Sequence, residues 1–103
     1  MLAEQMNICT FHSLIYISLG VGESKELTTE VAASPYGSGY KICLLSLFSP
    51  TSNTSALYLI APDKVNTTSL STNKITLKKN DKTVTITNNE SSNYNWFYSM
   101  LHF

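Results

Sequence analysis

Lys74-Ile75-Thr76-Leu77-Lys78-Lys79-Asn80-Asp81-Lys82-Thr83-Val84-Thr85-Ile86-Thr87-Asn88 is the stretch that decides the fold class. Apolar and polar residues alternate on both sides of Asn80-Asp81. A half-buried strand needs this period of two, and β-branched residues suit it. Asn and Asp accept turn conformations and hydrogen-bond their own backbone. The stretch therefore predicts a hairpin with strands over 74–78 and 83–88. Ile75 and Leu77 oppose Val84 and Ile86 on one face, while Thr76, Thr83, Thr85 and Thr87 face out.

The same reading extends outward. Residues 64–73 are polar and predict a loop with room for a short edge strand. Before them, residues 56–61 form a strand that is apolar on both faces, closed by Pro62-Asp63. Residues 40–48 are also two-sided, with Ile42, Leu44 and Phe48 opposite Cys43, Leu45 and Leu47. A strand of that kind lies between two layers or in an oligomer interface. Residues 34–39 (Ser34-Pro35-Tyr36-Gly37-Ser38-Gly39) predict a loop, since Pro fixes one dihedral and Gly permits positive ones. Residues 27–33 read as a strand with Leu27, Thr29, Val31 and Ala33 on one side. A short helix with Glu23, Glu26 and Glu30 outward is the alternative. Residues 6–21 predict one long strand with Cys9, Phe11, Ile15, Ile17, Leu19 and Val21 on its apolar face. Residues 1–5 are a loose or helical lead-in. After the hairpin, a polar loop leads to residues 94–103, a last strand that is apolar or aromatic on both faces.

With 103 residues the chain makes one domain, residues 1–103. Short strands separated by turn signals predict an all-β fold, a small antiparallel β-sandwich or barrel-like domain. Charged residues are only 14% of the chain, against about 25% in an average soluble domain. Ser, Thr and Asn fill the gap, and apolar residues are plentiful enough for a core. Lys and Arg together balance Asp and Glu at seven each, and every basic residue is Lys. Arg supplies the planar fork that grips phosphates and guanine edges, so this composition argues against a nucleic-acid partner. Lys74, Lys78, Lys79 and Lys82 gather at the hairpin, where an edge-protecting role is the simplest reading and an anionic-surface patch the alternative.

Cys9 and Cys43 lie in apolar runs and read as buried, unpaired thiols. A bridge between them requires adjacent strands and an oxidising compartment. The apolar run over 14–21 is too short to span a bilayer, and its upstream flank carries Glu4 and no Lys. No membrane span and no secretion signal are expected. Sequons begin at Asn53, Asn66 and Asn89, and a Ser/Thr/Asn-rich chain produces such triplets by composition alone.

The two histidines, His12 and His102, have no Cys, His, Asp or Glu at metal-ligand spacing, so no metal or cofactor is called. The nucleophile elbow and the phosphate loop are absent. The chain reads as non-enzymatic. Tyr36, Tyr40, Tyr94, Trp96 and Tyr98 are the candidate binding residues, because exposed Tyr and Trp stack on sugars or anchor protein interfaces. Phe97 is assigned to the core.

The C-terminal half resembles the terminal β-modules of bacteriophage fibres and other tail or head appendage proteins. The resemblance rests on Ala56-Leu57-Tyr58-Leu59-Ile60, Lys74-Ile75-Thr76-Leu77, Thr83-Val84-Thr85-Ile86-Thr87-Asn88-Asn89 and Trp96-Phe97-Tyr98-Ser99-Met100-Leu101. It implies a structural or adhesive virion component, often trimeric, that contacts a host-surface glycan or another virion protein. It carries over no functional residues. A free-standing carbohydrate- or peptide-binding β-domain, in the cytoplasm rather than a virion, is the second expectation. The two-sided strands favour a homo-oligomer independently, because a chain this short cannot readily cover so much two-sided sheet.

Overall fold

The computed structural model describes residues 14–31 and 42–102. Eight strands are described: β1 (Ile15–Leu19), β2 (Ser24–Thr28), β3 (Cys43–Ser49), β4 (Thr54–Ile60), β5 (Val65–Thr67), β6 (Ile75–Lys79), β7 (Thr83–Asn88) and β8 (Tyr94–His102). They form two antiparallel sheets, one of five strands in the order β1-β8-β3-β4-β5 and one of three in the order β2-β7-β6. One core joins them, so the all-β expectation resolves as a sandwich.

The hairpin forms as β6 and β7, with Leu77 opposite Ile86 and Ile75 opposite Asn88. Ile75, Val84 and Ile86 are buried and Leu77 packs against them. The last strand, β8, is central: β1 lies on one side, with Ile17 opposite Trp96, and β3 on the other, with Leu47 opposite Tyr98. The C-terminal segment is therefore pinned from both sides. Two-sided β3 and β4 pair over seven positions, Cys43↔Ile60 to Ser49↔Thr54. The short edge strand anticipated within 64–73 is β5.

Strand ends shift by one to three residues in β3, β4 and β6, and two strands depart further from the sequence reading. The strand expected over 6–21 is, in the described part, only Ile15–Leu19. Val21 enters a turn and is 61% exposed. Gly20 and Glu23 close that turn (Glu23 N to Gly20 O, 3.0 Å), and Gly22 takes the positive φ of 70° that it requires. The strand expected over 27–33 runs instead over Ser24–Thr28, because its partner β7 is extended opposite those residues, and it ends before Glu30, whose φ is 64°. The face was read correctly: Leu27, Thr29 and Val31 are all buried. The helical alternative with Glu23, Glu26 and Glu30 is not formed. The expected lead-in at 1–5, Cys9, His12, the loop at 34–39 and Phe103 lie outside the described residues.

Polar clasps hold the two sheets together. Asn88, on β7, is buried and its Nδ2 donates to Leu19 O (3.1 Å), Gly20 O (3.1 Å) and Ser92 O (2.8 Å). Its Oδ1 accepts from Glu90 N at 2.9 Å. At the other end His102 Nε2 donates to Thr29 O at 2.6 Å. A buried polar group such as Asn88 must be satisfied, and together the two clasps tie β1 and β8 to β7 and to the end of β2.

Candidate functional site

Alternation along each strand sends one set of side chains into the core and the other outward. On the three-stranded sheet the outward set is wholly polar: Ser24, Glu26 and Thr28 on β2, Thr83, Thr85 and Thr87 on β7, Thr76 and Lys78 on β6. Ser24 Oγ and Thr87 Oγ1 bond each other at 2.6 Å. That sheet presents a surface finished for water.

The five-stranded sheet does not. Beyond a polar pair, Ser18 beside Asn95, its outward residues line up in three further rows set by the register. The first of these is aromatic, with Tyr16 on β1, Phe97 on β8 and Phe48 on β3, and ends in Ser55 on β4. Tyr16 and Phe97 meet edge to face with centroids 5.4 Å apart, the favoured geometry for two rings. The second row is Ser99, Ser46 and Leu57. The third is Leu101, Leu44, Leu59 and Asn66. No outward position on this sheet carries a charge. Tyr16 is 54% exposed, Phe48 40% and Leu101 38%. Because Ser46 and Ser55 are small and their neighbours large, a hollow of about 280 Å³ opens between Phe48, Phe97, Leu57, Leu14 and Leu70. Leu14 and Leu70 stand at its rim, 62% and 54% exposed.

The aromatic residues named from sequence fall elsewhere. Tyr36 and Tyr40 lie outside the described residues. Tyr94, Trp96 and Tyr98 share the inward parity of β8. Trp96 is completely buried, and Tyr94 and Tyr98 are half-buried against the core. Trp96 is therefore a core residue and no part of a binding surface. Phe97, assigned to the core, is on the outer face. The parity was readable from Asn95 and Ser99, polar residues that flank Phe97 at the outward positions. Tyr16, Phe48, Leu57 and Leu70 are not among the binding residues named from sequence, although the alternation does set Phe48 opposite the buried Cys43, Leu45 and Leu47.

The lysines do not form a patch. Lys79 folds back, with Nζ donating to Val31 O (2.6 Å), Asn80 O (2.8 Å) and Asp81 O. Burial lowers its pKa and the Asp81 charge opposes that. Lys74 Nζ sits 5.9 Å above the Tyr94 ring, a cation–π contact. Of the four hairpin lysines, Lys78 and Lys82 are exposed. Cys43 is buried and unpaired, and burial pushes its thiol up to about 11. That is the wrong direction for a nucleophile. Among the described residues no three His, Cys, Asp or Glu side chains gather as metal ligands would, and no helix is long and apolar enough to cross a membrane.

No family model, curated protein or solved structure matches the chain.

Proposed function

We propose that the chain is a non-enzymatic assembly module, one that builds a larger structure by burying the outer face of its five-stranded sheet against a further copy of itself. The setting proposed is a virion appendage, which the C-terminal half resembles. The observation that carries the reading is the uncharged outer face with its row of Tyr16, Phe97 and Phe48 and the hollow beside it. Apolar faces of this breadth mark interaction surfaces. Aromatic residues at the centre and no charge are the composition of an interface core. The absence of charge also means that two copies meet without like-charge repulsion.

The test is mass in solution by light scattering. The intact chain is expected to give a multiple of the monomer mass. Phe48→Lys is expected to lower that mass, because it puts an ammonium at the middle of the face. Phe48 is partly exposed, so the single domain tolerates the change. A monomeric intact chain, or an unchanged mass for a folded Phe48→Lys variant, would refute the reading.

A further inference from the structure

Four strands lie at sheet edges: β1 and β5 in the larger sheet, β2 and β6 in the smaller. An open edge offers unpaired N–H and C=O groups to any other strand. Proteins blunt such edges with short strands, Pro, or charged residues, above all charges at inward positions. Three of the four edges here are blunted. β2 carries Lys25 at an inward position, opposite Ile86, with Glu26 beside it. β6 carries Lys79 at an inward position, opposite Val84, with Lys78 beside it. β5 has only three residues and follows Pro62-Asp63-Lys64.

β1 has none of these devices. It reads Ile15-Tyr16-Ile17-Ser18-Leu19, five residues without charge or Pro, and among the described residues it pairs only with β8. It also holds the densest run of exposed apolar surface among the described residues. Leu14, Ile15 and Tyr16 are 62%, 50% and 54% exposed in succession. Ile15 has the inward parity of Ile17 and Leu19, yet it stays half open because nothing described lies beyond the edge.

We infer that β1 is the edge at which a second copy of this chain adds, antiparallel, with the two-fold axis at Ile17. An antiparallel pair related by a two-fold normal to the sheet keeps inward residues opposite inward ones. Centring on Ile17 uses all five residues: Ile15 faces Leu19 of the second copy, Tyr16 faces its Ser18, and Ile17 faces itself. Every inward pair is then apolar, so Ile15 gains the neighbour it lacks. Centring on Tyr16 or Ser18 gives up pairs at one end. The two five-stranded sheets become one sheet of ten, and the aromatic rows of the two outer faces run away from the junction in opposite directions, staggered because Tyr16 faces Ser18. This inference rests on the reading that the chain assembles, and it adds the element and the register. A two-fold contact makes even-numbered assemblies, in contrast to the trimer that the virion resemblance implies.

Directed cross-linking of the full chain tests the register. Opposed residues in an antiparallel pair have Cα atoms about 4.5–5.5 Å apart, within the range a disulfide spans. In a Cys9→Ser background, the Tyr16→Cys, Ser18→Cys double variant is expected to form a covalent dimer on mild oxidation, at several times the yield of either single variant. Equal yields from the single variants, or no covalent dimer from the double, would overturn the inference. Mass measurement of Ile15→Lys separates it from the assembly reading. Ile15→Lys is expected to lower the oligomeric mass with the circular dichroism spectrum unchanged. If folded Ile15→Lys keeps the full mass while Phe48→Lys loses it, the edge inference fails and assembly through the face stands. A three-fold intact assembly would also overturn the edge inference alone. A monomeric intact chain would overturn both.

Discussion

Replacing Asn88 tests the account of what holds the two sheets together. Its amide spends two N–H groups on three carbonyl oxygens, those of Leu19, Gly20 and Ser92, at 2.8 to 3.1 Å. Leu19 O is the buried one, and an unsatisfied buried acceptor costs about 1–3 kcal/mol. The other two lie nearer water and recover part of their loss. Asn88→Ala also strips Glu90 N of its acceptor. The sum is about 2–4 kcal/mol. Asn88→Asp keeps the shape and the Glu90 contact but turns a donor into a carboxylate aimed at three carbonyl oxygens. An uncompensated buried charge costs about 3–5 kcal/mol, so this near-isosteric change is expected to be the more damaging. Its carboxylate regains a donor when protonated, so the deficit shrinks as pH falls. Asn89, the exposed neighbour bonded to Asn73 O and Thr76 Oγ1, is the control, and Asn89→Ala is expected to cost under about 1 kcal/mol. Urea unfolding followed by fluorescence reads all three, because the single tryptophan, Trp96, is wholly buried. With m near 1–3 kcal/mol per molar, a 3 kcal/mol loss lowers the midpoint by about 1–3 M. Asn88→Asp within about 0.5 kcal/mol of the parent would refute the argument.

Two further outcomes are expected. Val84→Asp puts a carboxylate into the core and should cost several kcal/mol, on the order of 3–5, whereas Thr85→Asp, one residue on and facing out, should cost far less in the same denaturation assay. For Cys43, the folded-state pKa of about 11 lies above the ordinary thiol value, so the folded chain keeps a proton that the unfolded chain releases. Its contribution is intact below the unfolded pKa and is lost as pH rises toward about 11, so Cys43→Ala should lessen the alkaline loss of stability relative to the parent. In a Cys9→Ser background a thiol reagent should label the chain only after unfolding.

The hairpin was legible because a period of two is visible wherever polar and apolar residues alternate. Ile75, Leu77, Val84 and Ile86 left no second choice of face. The β2 boundary was less legible: Ser24, Lys25 and Glu26 have no strand pattern of their own and are extended because β7 lies opposite them. That information sits sixty residues downstream in the sequence, and no local window contains it.

The functional surface was legible in kind and not in place. That β3, β4 and β8 are apolar on both faces follows from sequence, and this is what motivates the proposal of a partner. Which face is inward is harder to see, because Trp96-Phe97-Tyr98 offers an aromatic residue to either side and only the polar Asn95 and Ser99 around Phe97 mark the outward parity. The choice is made by long-range register: Trp96 lies opposite Ile17, which fixes its parity with the buried face, and Phe97 lies between Tyr16 and Phe48. The decisive contrast is between the two sheets. The smaller sheet turns threonines, Ser24, Glu26 and Lys78 outward, and its edges carry Lys25 and Lys79 at inward positions. The larger turns out three aromatic rings and four leucines among serines and asparagines, with no charge there or on the β1 edge. A chain with so few charges has nonetheless placed them where they block association, on one sheet and not on the other. That asymmetry is what favours the five-stranded sheet, at its outer face and at β1, in the proposal that the chain assembles.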